Sequence, residues 1–398
     1  MTENEKRSGW IKERQRLLKH KNPPLPNALS RIEVFDFQGI KHLALEIPTH
    51  AQWVFLTGEN GFGKTSILRA IAKGFIGDED FVESLPAQSR IYVNGYHRNQ
   101  PFAHNAQSKK VSNPDFQMAG YGASRFQIHS MDSGNGSKGK TSQKTYSLFN
   151  NDGLLINIER ILMEAERAKV ENKEKTRLKT FDLLKKILLS ILPQLANITV
   201  EYFEKEQIPN RYQVRYYEKS NNGKTYEPVK LDDLAAGYRS VLTMIGDMVA
   251  RLSTHSDNSL EDLQGIVLID EFDAHLHPNY QYELPYLLST VFPKIQFIVS
   301  THSPIPILSL PKSIPAVVLT VSRTIENGIT ADRKDDEMEI HRLNPSALLT
   351  SPIFGFQQLF ARGATSQEVI PTDDYEDVDF MKKMKARIQS LRAQGLVQ

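Results

Sequence analysis

The 398-residue chain contains no cysteine. Disulfides and thiolate metal sites are thereby excluded, and the composition fits a reducing compartment, which predicts a cytoplasmic protein. Long apolar runs are missing as well. No stretch approaches the roughly 18 residues that a membrane-spanning helix needs, and the longest candidates, around Ile187–Leu195 and Gly265–Ile269, are short segments suited to a core. The opening residues, MTENEKRSGW, are charged and lack the apolar stretch of a secretory signal. No excess of one charge exists either. Lys and Arg number 49 against 47 Asp and Glu, for a net charge of +2, too near neutral to announce a nucleic-acid binder. Only Lys109–Lys110, Lys138, Lys140 and the N-terminal arm offer local basic patches that keep a nucleic-acid partner open. With 40% apolar and 24% charged residues the chain is otherwise of ordinary globular composition.

Organisation follows from periodicity. Residues 1–28 read as a basic, proline-rich arm in which Trp10, Ile11, Leu17 and Leu18 recur at helical spacing before the Pro23–Pro24–Leu25–Pro26 break. Residues 29–320 read as one large domain. RIEVFDFQGIKHLALEI alternates in two runs around Gln38–Gly39, which predicts a hairpin. A third strand, Trp53–Leu56, runs into a glycine-rich loop and a helix, Ser66–Phe75. Small polar residues at 132–144 predict a loop, and helical periodicity over about 153–195 predicts a helical insertion with a charged middle, Glu164–Arg177. Strand character returns over 199–229 with a turn at Asn221–Asn222–Gly223, and a helix follows through Ser240–Leu252. The runs GIVLID (265–270) and FIVS (297–300) carry the continuous apolar pattern of buried parallel strands. Residues 321–398 read as a C-terminal extension, acidic from Asp373 and ending in a basic helix.

Three motifs carry chemistry. Gly58-Glu59-Asn60-Gly61-Phe62-Gly63-Lys64-Thr65 satisfies the phosphate-loop pattern G-x-x-x-x-G-K-[ST], between a strand and a helix as the motif requires. Glycines let successive backbone N–H groups turn toward phosphate oxygens, and the helix start adds its positive dipole end. Lys64 supplies charge to the terminal phosphates, and the Thr65 hydroxyl is a ligand for Mg²⁺. The candidate nucleotide contacts are Gly58, Asn60, Gly61, Gly63, Lys64, Thr65 and Ser66. The second motif is the apolar strand Ile266–Ile269 ending in Asp270 and Glu271. Asp270 suits Mg²⁺, and Glu271 suits polarisation of an attacking water. The third is Ser300-Thr301-His302-Ser303-Pro304, whose histidine is placed to sense a γ-phosphate.

The ordered set resembles the ABC-type ATPases that include SMC and RecF-like proteins. The resemblance implies an α/β fold: an ABC-type P-loop NTPase core with an N-terminal mixed β lobe and a helical insertion. It makes Gly58–Thr65 the Walker A motif, Ile266–Glu271 Walker B and His302 the switch histidine. Leu234-Ala235-Ala236-Gly237-Tyr238-Arg239-Ser240 stands where the family signature lies. There Ala235, Gly237, Tyr238 and Arg239 would cap the nucleotide of a second copy. ATP and Mg²⁺ are the implied cofactors, and a dimer or higher homo-oligomer closed on ATP is the implied assembly.

Departures are visible. Ala235 replaces the usual serine, no clear Q-loop glutamine exists although Gln117 lies near the expected strand, and His275-Leu276-His277-Pro278 replaces the usual D-loop. His275 and His277 lack a third ligand and are not read as a metal site. Gly120-Tyr121-Gly122-Ala123-Ser124-Arg125, LAAGYRS and Asp270–Pro278 are similar, more narrowly, to the bacterial antiphage-defence ATPases of Septu, PARIS and retron-linked systems. That group implies control of a separate nuclease or toxin effector. Arg125, a basic residue after the tight Tyr121–Ser124 turn that follows a strand, is a candidate for stabilising transition-state charge or the dimer joint. Two alternatives stand: a RecF- or SMC-like DNA repair ATPase, and, from Ala235, a non-hydrolysing ATP-gated scaffold. Asp377-Val378-Asp379 matches a short nuclease pattern but precedes a helix and reads as its acidic cap.

Overall fold

Strand Trp53–Thr57 is buried along its whole length, and its alternate side chains serve two different cores. Trp53 and Phe55 face one side of the sheet, Val54 and Leu56 the other. A strand needed on both faces must be apolar at every position, which is why the sequence shows a continuous run. This computed structural model describes residues 23–76, 85–106, 116–123, 144–150, 155–170, 175–202, 212–220, 222–253, 263–335, 340 and 343–355. Residues 132–143 of the expected loop, Ser124 and Arg125, the arm before residue 23 and the C-terminal helix lie outside the described residues.

The elements are β1 (Ala28–Phe37), β2 (Ile40–Glu46), β3 (Trp53–Thr57), α1 (Lys64–Ile76), β4 (Arg90–His97), β5 (Gln100–Asn105), β6 (Met118–Tyr121), α2 (Tyr146–Phe149), α3 (Ile158–Val170), α4 (Lys175–Ile191), β7 (Leu195–Tyr202), β8 (Tyr212–Glu218), α5 (Ala236–Leu252), β9 (Gln264–Ile269), α6 (Pro278–Val291), β10 (Lys294–Ser300), α7 (Ile305–Leu308), β11 (Ala316–Thr324), β12 (Gly328–Arg333) and α8 (Pro345–Thr350). Ten strands form one mixed sheet in the order β5-β4-β1-β2-β12-β11-β3-β10-β9-β6. Strands β11, β3, β10, β9 and β6 are mutually parallel. The N-terminal lobe, β5-β4-β1-β2, is antiparallel, and β12 joins it to β11. The fold is thus α/β with a parallel P-loop core and a β lobe. The lobe itself is antiparallel; the mixture belongs to the whole sheet.

The expected hairpin is present, with Phe37 paired to Ile40 and both turn residues at positive φ, Gln38 at 43° and Gly39 at 90°. That is the two-residue turn whose twist matches paired strands. Strands β7 and β8 pair as a separate two-stranded sheet. Both α3 and α4 fall inside the predicted insertion. Their apolar residues Ile158, Leu162, Leu184, Ile187, Leu188 and Ile191 are buried in the same core as Ile245 and Met248 of α5. The extension expected to begin at 321 starts inside β11, whose pairing with β3 and β12 carries the main sheet past that boundary. Residues Met1–Phe354 cluster as one unit and Gly355–Gln398 as a second. Among the described residues no helix is long and apolar enough to cross a membrane.

One buried carboxylate ties these parts together. Asp247 on α5 is 0% exposed. Its Oδ2 accepts hydrogen bonds from the Tyr121 hydroxyl at 2.8 Å and from Arg251 Nε at 2.6 Å. Its Oδ1 accepts from the Ile156 backbone N–H at 2.7 Å. Strand β6, helix α5 and the entry to α3 therefore converge on one side chain. Removing one partner of a buried ion pair leaves a charge without its compensation and costs about 3–5 kcal/mol. Asp247→Ala is expected to lower the unfolding free energy by that amount in urea titration, and Asp247→Asn by less, because it keeps an acceptor.

Candidate functional site

The carboxyl ends of β3, β9 and β10 lie side by side, and each releases one of the three motifs. Openings at the carboxyl ends of parallel strands are where α/β sheets bind ligands, because the connections diverge there. After Thr57 the chain curls through Gly58, Gly61 and Gly63, at φ of 129°, 79° and 99°. Two of these glycines are also sterically required. A Cβ on Gly58 would stand 2.3 Å from the Val321 carbonyl oxygen, and one on Gly63 would stand 2.2 Å from Ile329 Cδ1. Asn60 and Gly61 are exposed at the loop tip, while Thr65 and Ser66 are half-buried in the first turn of α1.

Lys64 is 6% exposed and its ammonium donates to the carbonyls of Gly58 at 2.8 Å and Glu59 at 2.9 Å. Burial pushes its pKa down, opposed by the carboxylates of Asp270, Asp273 and Glu271. Thr65 Oγ1 donates to Asp270 Oδ2 at 2.7 Å, so the two expected Mg²⁺ ligands stand together. Hard oxygen donors beside a loop that a Cβ would obstruct suit a triphosphate with Mg²⁺. Glu271 is exposed at φ 49°, a conformation uncommon for a residue with a side chain. Its backbone N–H donates to Ser300 Oγ at 2.8 Å, while Ser300 Oγ donates to Asp270 Oδ1 at 2.5 Å. His302 sits on the same charge cluster. Burial lowers its pKa first and the Lys64 charge lowers it further, against the opposing pull of Asp273, Glu271 and Asp270. A neutral imidazole keeps one donor and one acceptor nitrogen, as a phosphate sensor requires.

The signature residues lie elsewhere. Ala235 is exposed and caps α5 without a side-chain hydrogen bond. A Cβ on Gly237 would come 2.8 Å from the His275 carbonyl oxygen. Tyr238 packs on Tyr280 with ring centroids 5.6 Å apart, and Arg239 donates to the Asp232 carbonyl at 3.1 Å. Gly237 and Tyr238 at this helix start thus meet the 275–280 segment. Gln117 is at the amino end of β6, buried, with its Oε1 accepting from Asn27 at 3.2 Å. It takes part in core packing away from the strand ends that release the motifs. His277 caps α6, its Nδ1 accepting from the Asn279 N–H at 3.3 Å, and no metal-type cluster exists among the described residues.

Residues that motif spacing did not single out complete the site. Asp273 accepts from Thr301 Oγ1 at 2.6 Å and from the His302 N–H at 3.2 Å. A cavity of about 830 Å³ opens between the β1–β2 and β11–β12 turns, lined by Gln38, Gly39, Lys41 and Arg323. Ile329 separates it from Gly63, touching the Cβ directions of both Gly39 and Gly63. No local signal marks Arg323, because the cavity forms only when β12 docks on β2. From the charges around His302, its NMR titration midpoint is expected below the ordinary value of about 6.5, and Lys64→Ala is expected to raise that midpoint.

Comparisons with known proteins find ATPases among the relatives of this chain. The family described as AAA ATPase domain matches residues 127–307. The Septu protein PtuA of Bacillus mycoides (strain KBAB4) is 29% identical over 82% of this chain and 45% of that protein. The retron Ec83 probable ATPase of Escherichia coli is 33% identical over 32% of this chain and 21% of that protein. The chain thus spans less than half the length of these curated relatives. Among solved structures, an SMC head bound to the C-winged helix domain of ScpA aligns with 78% of this chain and 99% of its own, at 13% identity and a TM-score of 0.44. The chain is thus similar in sequence to the AAA ATPase domain family over residues 127–307 and, over most of its own length, to the Septu protein PtuA.

Proposed function

We propose that this protein binds and hydrolyses Mg-ATP at a joint between two copies of itself and, in a defence system, uses that cycle to control a separate nuclease or toxin effector. The observation that carries the reading is the meeting of Lys64, Asp270, Glu271 and His302 at three adjacent strand ends, while the start of α5 makes its contacts at the 275–280 turn. One copy supplies the cradle, the metal ligands, a base and a sensor. A second helix start is needed to cap the terminal phosphate.

In this reading the Gly58–Gly63 amides and Lys64 hold the β and γ phosphates. Thr65 and Asp270 would hold Mg²⁺, which would neutralise charge on the phosphate oxygens. Glu271 takes a proton from the water whose oxygen bonds to the γ-phosphorus as the bond to the β–γ bridging oxygen breaks and ADP leaves, and neutral His302 donates to a γ-phosphate oxygen. Ala235–Arg239 of the second copy complete the site through helix N–H groups, since Ala235 has no hydroxyl. The cavity beside Gly39 is of a size to receive the nucleoside end. The effector role rests on similarity to the Septu and retron proteins.

The bare cap at Ala235 favours a second reading, an ATP-gated scaffold that does not hydrolyse. Phosphate release separates the two. Lys64→Ala is expected to abolish binding of a fluorescent ATP analogue. Glu271→Gln is expected to keep binding, to slow phosphate release by about 10²–10⁴-fold, and to accumulate as a dimer with ATP in light-scattering chromatography. Equal phosphate release by wild type and Glu271→Gln would remove the role given to Glu271. Wild type that binds ATP without releasing phosphate would favour the scaffold.

A further inference from the structure

Asp273 and Gln281, with Thr301 and Ser303 of the third motif, form a closed set of hydrogen bonds between the switch segment and the turn after β9. Asp273 Oδ1 accepts from Thr301 Oγ1 at 2.6 Å and from the His302 backbone N–H at 3.2 Å. Thr301 Oγ1 accepts in turn from the Ser303 N–H at 3.0 Å. Ser303 Oγ donates to Gln281 Oε1 at 2.7 Å. From α6, Gln281 Nε2 then donates to the Asp273 carbonyl at 3.3 Å and to the Leu276 carbonyl at 2.9 Å. Thr301 is fully buried, and its own N–H donates to the Leu56 carbonyl at the end of β3. The segment carrying His302 is thus fastened to the 273–276 turn from two sides.

That turn has a second neighbour. Ala274 and Leu276 close it with backbone bonds to Glu271 and Asp273, and His275 sits at φ 62°. The His275 carbonyl packs on Gly237 so closely that a Cβ there would approach to 2.8 Å. The segment bearing His302 is thus bonded to the 273–276 turn, and that turn abuts the start of α5 at Gly237. Tightly packed contacts of this kind pass displacement on rather than damp it.

We propose that Asp273 is a positioning residue which, with Gln281, couples the γ-phosphate state sensed at His302 to the α5 start and so to the pairing of two copies. The inference rests on the ATP-joint reading above. Asp273 acts here as a hydrogen-bond acceptor, not as a group that touches substrate, so an isosteric acceptor supports the same geometry.

The test places Asp273→Ala, Asp273→Asn and Gln281→Ala individually in the full-length Glu271→Gln parent and measures three quantities. These are affinity for a fluorescent ATP analogue, the dimer dissociation constant with ATP by sedimentation, and thermal unfolding. Asp273→Ala and Gln281→Ala are expected to keep nucleotide affinity within about twofold and to weaken ATP-dependent dimerisation by at least about tenfold, within the usual range of coupling between sites. Asp273→Asn is expected to retain dimerisation within about threefold of the parent. In the wild-type background Asp273→Ala should lower kcat about tenfold with little change in KM. Gln281→Ala reports from the other side of the ring should Asp273→Ala fail to fold.

Dimerisation by Asp273→Ala or Gln281→Ala equal to the parent would overturn the proposal. So would Asp273→Asn as defective as Asp273→Ala, because the effect would then lie in charge. A parent that binds ATP but never associates removes the ATP-joint reading itself, an outcome visible before any ring variant is compared.

Discussion

Asp270 holds three strand ends at once. Thr65 donates to one of its oxygens and Ser300 to the other, while its own N–H is bonded to the Tyr121 carbonyl. The carboxylate is nearly buried, 5% exposed, so these bonds form where water competes weakly. Through this group the first turn of α1, the end of β9 and the end of β10 have fixed separations. The functional geometry inherits its tolerance from them. Glu271 is held in a left-handed backbone conformation that the Ser300 hydroxyl supports, and the same hydroxyl orients Asp270. The proposed metal ligand and the proposed base are thus both bonded to one serine.

Helix α5 extends the same rigidity in two directions. At its start Gly237 meets the His275 carbonyl, and further along Asp247 binds Tyr121, Arg251 and the entry to the insertion. Tyr121 is the last residue of the strand next to β9. A displacement of the Walker B strand end and a displacement of the insertion are therefore felt by one helix. The start of that helix presents Ala235 without a side-chain cap. The backbone donors of a helix's first turn lack partners within the helix and suit anions, which is the physical basis for proposing that a second copy completes the site.

The strands β3, β9 and β10 were legible because burial on both faces demands an unbroken apolar run, and the motifs because each follows such a run directly. The β1–β2 hairpin was legible from its alternation around Gln38–Gly39. Strands β4 and β5 were not. RIYVNGYH and QPFAHN mix polar, aromatic and proline residues, and β4 gains its identity from pairing with β1. Strand β11 was divided by a boundary at 320, although AVVLTVSRT runs parallel beside β3 and its Val321 carbonyl presses on Gly58. The roles of Asp273 and Ser300 were not legible within their own motifs, since their partners stand 28 and 30 residues away along the chain.

The order of residues alone determined the chemistry that can be offered: a glycine loop with Lys64 and Thr65, a carboxylate pair after one apolar strand, a histidine after another. Local backbone geometry and hydrophobic period are short-range properties, so they can be read in short windows. Which of these groups meet was decided by the stacking of β3, β10 and β9 in register. The same packing made Asp273 the acceptor for the His302 segment and set Gly237 against His275. Such contacts depend on side-chain packing between segments far apart in the chain, and no short window contains them.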